Sequence, residues 1–123
     1  MTLSNVTIDL FQAYCLEVFN CELVLSTLNL PEDEIQIVHI RSLQPGKGNG
    51  THCISWLLSM FAHYGVKRVH VQASPIGGMN PVEREEKCRR LVNWYRGFGF
   101  ESVRVNQCGE WVANVDMEMK LCR

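Results

Sequence analysis

Hydrophobic and polar positions change period several times along the chain, and each change marks an element. Ile35, Ile37 and His39 alternate with Val38 and Ile40. A strand apolar on both faces is expected in the middle of a sheet. Glu22 to Leu30 reads as an earlier strand, with Pro31-Glu32-Asp33 as the turn between them. From Cys53 to Tyr64 the period lengthens. Ile54, Leu57, Leu58 and Phe61 form one helical stripe, with Thr51 as the expected N-cap and Gly65 as the stop. Arg68 to Ala73 is a further strand. Glu83 to Arg96 is a second helix, striped by Cys88, Leu91, Val92 and Tyr95. Its acids come early and its bases late, as the helix dipole favours. Two last strands flank the turn Asn106-Gln107-Cys108-Gly109. In the final one, Trp111, Ala113, Val115, Met117, Met119 and Leu121 alternate with polar residues. Residues 4–20 fit two patterns. Val6, Ile8 and Leu10 alternate like a strand, whereas Phe11, Cys15 and Phe19 fit a helix face. Strands mixed with helices give an α/β fold.

A chain of 123 residues without repeats, linkers or low-complexity tracts is expected to form one domain, residues 1–123. Its net charge of −1 offers no attraction to nucleic acid or an anionic membrane. Charge is uneven, however. Residues 1–43 hold six acids and one base, and the remainder holds seven acids and eleven bases. The six cysteines show no compact disulfide framework and no Cys-x-x-Cys pair. Reduced, mostly buried thiols are expected, with no metal site. Met1 to Asn20 contains Asp9 and Glu17 but no Lys or Arg, unlike a secretory leader, so the expected location is cytoplasmic. No apolar run approaches the roughly 18 residues that span a bilayer.

The candidate chemistry lies at Gln44-Pro45-Gly46-Lys47-Gly48-Asn49-Gly50-Thr51, between a predicted strand and a predicted helix. Glycines let backbone approach a ligand, and loop amides together with a helix N-terminus attract phosphate. The other reading is a mobile turn with one lysine. A Walker A loop is excluded, because Gly48 follows Lys47 where Ser or Thr is needed. The dinucleotide pattern is excluded by the spacing of the glycines.

The loop resembles the acyl-CoA loop of the GNAT superfamily of N-acyltransferases, Gln/Arg-x-x-Gly-x-Gly/Ala. Gly48 and Gly50 stand at its small positions; Pro45 departs at the first position, with Gln44 one residue early. Tyr95-Arg96-Gly97-Phe98-Gly99-Phe100-Glu101 resembles the family's helix-to-strand junction, Tyr-x-x-x-Gly-Phe-x. Val115-Asp116-Met117-Glu118-Met119-Lys120-Leu121 resembles its last strand, and the three segments occur in the family's order. The resemblance covers about residues 21–121. It implies a mixed, splayed central sheet flanked by helices. It also implies that the family's N-terminal strand and paired helices are reduced here.

The resemblance further implies transfer of an acyl group from acetyl-CoA to an amine of a small molecule or protein. Main-chain amides of Val38, His39 and Ile40 would grip the pantetheine and acyl group, and Gly46, Lys47, Gly48, Asn49, Gly50 and Thr51 the phosphates. Tyr95 holds the place of the acid that protonates the departing sulfur; a core tyrosine is the alternative. His39 or Glu34, the latter through water, is the candidate base, with a structural histidine as the alternative for His39. His52 follows the loop and is a further candidate for phosphate contact. His63 and His70 read as surface or structural. Ser74 to Val82, longer than usual for the family, reads as a surface loop or a wall of the acceptor site. A non-catalytic relative that binds a protein partner, with or without CoA, is the alternative function. A homodimer is left open.

Overall fold

The computed structural model describes residues 3–75, 77 and 80–121. Its elements are α1 (Asn5–Phe19), β1 (Cys21–Ser26), β2 (Glu34–Ser42), α2 (Asn49–His63), β3 (Arg68–Ala73), α3 (Pro81–Arg96), β4 (Glu101–Cys108) and β5 (Trp111–Lys120). The five strands make one mixed sheet in the order β1-β2-β3-β5-β4. The chain divides into two compact units, one up to Val69 with Leu121, the other His70–Lys120.

In the first unit the ambiguous N-terminal segment is a helix. The Ser4 hydroxyl accepts the Thr7 amide at 3.1 Å and caps it, and Asn20 ends it with φ 55°. Ile8, Phe11 and Cys15 are buried at helical spacing, whereas Val6 and Leu10 are exposed. The helical stripe therefore prevailed over the strand-like alternation. Aromatic rings join α1 to α2: Phe11 lies 5.4 Å from Trp56 edge-on, and Tyr14 stacks on Trp56 at 4.4 Å. Beneath them Cys15, Cys21 and Cys53 are wholly buried, and Cys53 shares sulfur hydrogen bonds with the other two. The Cys15 contact, then burial, push the Cys53 thiol well above the usual range. Phe61, Ile35, Ile54 and Leu57 are also fully buried. Each such side chain contributes roughly 1.5–3 kcal/mol.

β1 ends at Ser26, earlier than expected. The Ser26 hydroxyl takes the Leu28 amide at 3.1 Å, and Asn29 at φ 62° turns the chain. The pairing with β2 corrects the alternation read from the sequence. Val24 pairs with His39, but the next residue, Leu25, pairs with Ile37. Val38 is therefore a β-bulge. His39 faces outward with Val24, and Ile40, opposite buried Leu23, shares the inward face of Ile35 and Ile37. The strand is internal in the sheet, as expected, but Val38 remains 52% exposed.

In the second unit, α3 begins two residues before the expected Glu83. Asn80 Oδ1 accepts the Glu83 amide at 2.9 Å, while Asn80 Nδ2 donates to the Glu83 carboxylate at 2.7 Å. Pro81 at the first helical position suits that start. Of the Ser74–Val82 segment, residues 76, 78 and 79 lie outside the described residues. Ser74 and buried Pro75 are pinned by Arg84, which also donates to the Ala113 carbonyl at 3.1 Å. β4 runs on to Cys108, past the expected turn start, and Gly109 with φ 65° opens a two-residue hairpin turn before β5. Period two survives at buried Val115 and Met117. It is interrupted at Ala113, an extra residue between the pairs Asn106–Asn114 and Gln107–Val112.

Among the described residues, Cys15, Cys21, Cys53, Cys88 and Cys108 are free thiols, and only Cys108 is exposed. No described helix is long and apolar enough to cross a membrane.

Candidate functional site

Ser42 ends β2 and Asn49 opens α2, so the glycine loop joins a strand end to a helix start within one unit. Gly46 and Gly48 have φ of 84° and 74°, in the left-handed region. A Cβ at Gly46 would meet nothing within 4 Å, so glycine serves conformation there rather than space. Gly48, not Thr51, is the N-cap, and its carbonyl accepts the His52 amide at 3.1 Å. Its left-handed conformation lets the chain enter the helix before Thr51, which lies inside the first turn. α2 has no side-chain cap and no acidic residue in that turn. Helix starts carry partial positive charge and amides without intrahelical partners. Lys47 and His52 are exposed around this start.

β2 carries the other candidates of this unit. The bulge at Val38 interrupts the ladder beside β1 where main-chain amides were expected to meet a ligand. His39 Nε2 lies 3.8 Å from Glu22 Oε1, too long for a hydrogen bond but within ion-pair reach. Arg41 holds the same oxygen through two nitrogens, at 2.9 and 2.8 Å. The three side chains form a half-exposed cluster on the outward face. Glu34, half-buried at the far end of β2, is roughly 16 Å along the strand from His39. The two base candidates are thus kept apart. Glu22 was missed because its place beside His39 depends on the register between two strands.

Tyr95 lies in the second unit. It is 6% exposed, with the Phe100 ring at 5.6 Å and Trp94 at 5.1 Å. The helix end explains the Tyr-x-x-x-Gly-Phe pattern physically. Phe98 and Phe100 amides both donate to the Tyr95 carbonyl, at 3.0 and 3.3 Å. Gly99 at φ 110° turns the chain so that Phe100 enters the core against the Tyr95 ring. Burial pushes the phenol up to about 12, so it holds its proton at neutral pH. Among the described residues no group of His, Cys, Asp and Glu suited to a metal ion occurs.

The five-stranded mixed sheet flanked by helices is a GNAT-like fold. A GNAT-assigned acetyltransferase from Desulfovibrio desulfuricans superposes with TM-score 0.59 at 12% identity, over 81% of this chain and 60% of that one. The ribosomal-protein-S18-alanine N-acetyltransferase of Escherichia coli gives 0.58 at 13%, over 84% and 62%. A protein from Lactobacillus plantarum assigned as an N-acetyltransferase gives 0.57 at 12%, over 98% and 95%. The chain thus spans about three fifths of the length of the first two. No protein-family profile matches it. No curated protein matches it either.

Proposed function

We propose that residues 1–123 act as one acyl-CoA-binding domain that transfers an acetyl group from acetyl-CoA to an amine. The observation that carries this reading is the start of α2: a left-handed glycine at the N-cap, no side-chain cap, and Lys47 beside it. Such a start is suited to a diphosphate. Gly46 to Thr51 would hold that diphosphate. Main chain of Val38, His39 and Ile40 would hold the pantetheine arm and stabilise the carbonyl oxygen as it gains charge.

In the reaction, the neutral amine forms a C–N bond as the thioester C–S bond breaks. The amine's proton passes to a base, for which His39 is preferred, because Glu22 is placed to support the resulting cation. Glu34, acting through water, is the other candidate. Protonated Tyr95 would supply the sulfur's proton. Titration calorimetry with acetyl-CoA and CoA tests the binding step, and turnover on a panel of amines tests the chemistry. Absence of binding would sink the reading.

Pro45 favours a second reading, since it removes an amide donor from the loop. On that reading the domain binds a protein partner, with or without CoA, and transfers nothing. CoA binding without turnover on any amine would support it.

A further inference from the structure

β1 is the last strand at one end of the sheet, and its pairing shows where its unused backbone points. The Leu43 amide donates to the Asn20 carbonyl at 2.9 Å, at the start of the ladder that pairs Glu22 with Arg41 and Val24 with His39. Backbone groups alternate in direction along an antiparallel strand, so Cys21, Leu23 and Leu25 turn theirs away from β2. The Leu25 amide agrees: it donates to Gln12 Oε1 on α1, at 2.9 Å. That acceptor is a carboxamide carbonyl, the same kind of group that a further strand would offer. One side chain thus stands where a strand could pair.

Gln12 reaches this edge from the wall of a groove. Asn5, Ile8, Asp9 and Gln12 form one stripe of α1, at i, i+3, i+4 and i+7, and face Leu25 and Leu28 across an open space of about 420 Å³. Both walls belong to the first unit. Ile8 and Leu25 are buried beneath it, and Leu28 is 76% exposed at its rim. Among the described residues, Asp9 is the one charged side chain lining it.

Backbone and charge together choose the occupant. A residue placed opposite Leu25 shares its face of the sheet, so its side chain turns toward α1. There it meets Ile8 and Asp9, a match for an apolar stem that ends in a cation, as in Lys or Arg. The β1 strand of a second copy does not supply that cation. Met1 to Ile40 holds six acids and no Lys or Arg, and Arg41 is bound to Glu22. Pairing β1 with its own copy would bring two acidic edges together.

We infer that the groove between α1 and β1 docks an extended, basic peptide segment of a partner protein. The segment adds as a further strand. Its carbonyl replaces Gln12 Oε1 on the Leu25 amide, and its Lys or Arg meets Asp9. Gln12 is then an internal stand-in that keeps the edge satisfied while no partner is bound. No step involves CoA, so the inference is independent of the acyl-transfer reading.

A blocked octapeptide of alternating lysine and valine, titrated to about 1 mM and followed by amide NMR, tests it. The Leu25 amide and the Gln12 carboxamide should shift together as the peptide binds. A peptide with glutamate in place of lysine should not bind. Asp9→Asn should weaken binding about 5-fold. Gln12→Ala removes the internal competitor and should tighten binding about 5-fold. Methyl groups on the lysine nitrogens of the peptide backbone should abolish binding, because those N–H groups face β1, whereas methyl groups on the valine nitrogens should leave it. No shift at Leu25, equal binding of the glutamate peptide, or equal binding of the two methylated forms would each overturn the inference. So would a folded Gln12→Ala variant that binds no better, or a parent that pairs β1 with its own copy in sedimentation velocity.

Discussion

The starts of α2 and α3 solve the same problem in opposite ways. At α3, Asn80 accepts the Glu83 amide, donates to the Glu83 carboxylate, and is followed by Pro81. There the Glu83 amide is answered by a side chain, and Pro81 brings no amide hydrogen of its own. At α2 the N-cap is Gly48, without a side chain and in a conformation side chains rarely adopt. One start is closed by local chemistry and contributes stability. The other is left open and contributes a potential binding surface. Ser, Thr, Asp or Asn at such a start is worth about 1 kcal/mol over alanine, and only a few tenths over glycine.

The largest expected effect asks whether the second unit supplies only stability. Tyr95→Phe removes a protonated phenol and keeps the ring. Turnover should fall by roughly 10²–10⁴ while CoA affinity holds. Unchanged turnover would make Tyr95 a packing residue. The same variant carries a pH signature. The folded-state pKa is raised to about 12, against an unfolded value near 10. Stability from the buried phenol is therefore complete below about pH 10 and lost as pH rises toward 12, by about 2–3 kcal/mol. The phenylalanine variant should lack this loss in alkaline denaturation.

Next, Gly48→Asp places a negative charge at the open start. Acetyl-CoA affinity should drop about 100-fold or more by calorimetry, while stability falls by about 1–2 kcal/mol from the left-handed backbone. Equal affinity in variant and parent would remove the loop from the site. Asn80→Ala at the closed start should show the reverse. It should lower stability by about 1 kcal/mol, or roughly 4 °C in Tm, without changing CoA affinity. The smallest effect concerns the buried thiols. Under native conditions alkylation should modify Cys108, with peptide mapping finding Cys15, Cys21, Cys53 and Cys88 untouched until denaturant is added.

What could be read from the sequence was what depends on near neighbours. The α2 stripe, the glycine loop and the Tyr95–Phe100 junction are encoded within a few residues, and all three appear where expected. Misreadings fell where distant segments decide. Period two along Ile35–Ile40 holds only if no residue is extra, and the bulge at Val38 is set by pairing with β1. Glu22 reads as an ordinary strand residue until that pairing brings it to His39 and Arg41. Thr51 has the capping propensity, but the φ that Gly48 permits starts the helix before it. The early start of α3 is written locally in Asn80-Pro81-x-Glu83.

The bulge also behaves like a dislocation in a crystal. It inserts one unit and leaves the lattice on either side in phase. Keeping Val38 in a regular ladder would turn His39 toward the core and Ile40 outward. Deleting Val38 would give a regular ladder with Ile37, His39 and Ile40 still on their present faces. The geometric contribution of this one residue is therefore an interrupted stretch of main chain on an internal strand. A shortened chain lacking Val38 separates that stretch from everything else β2 does.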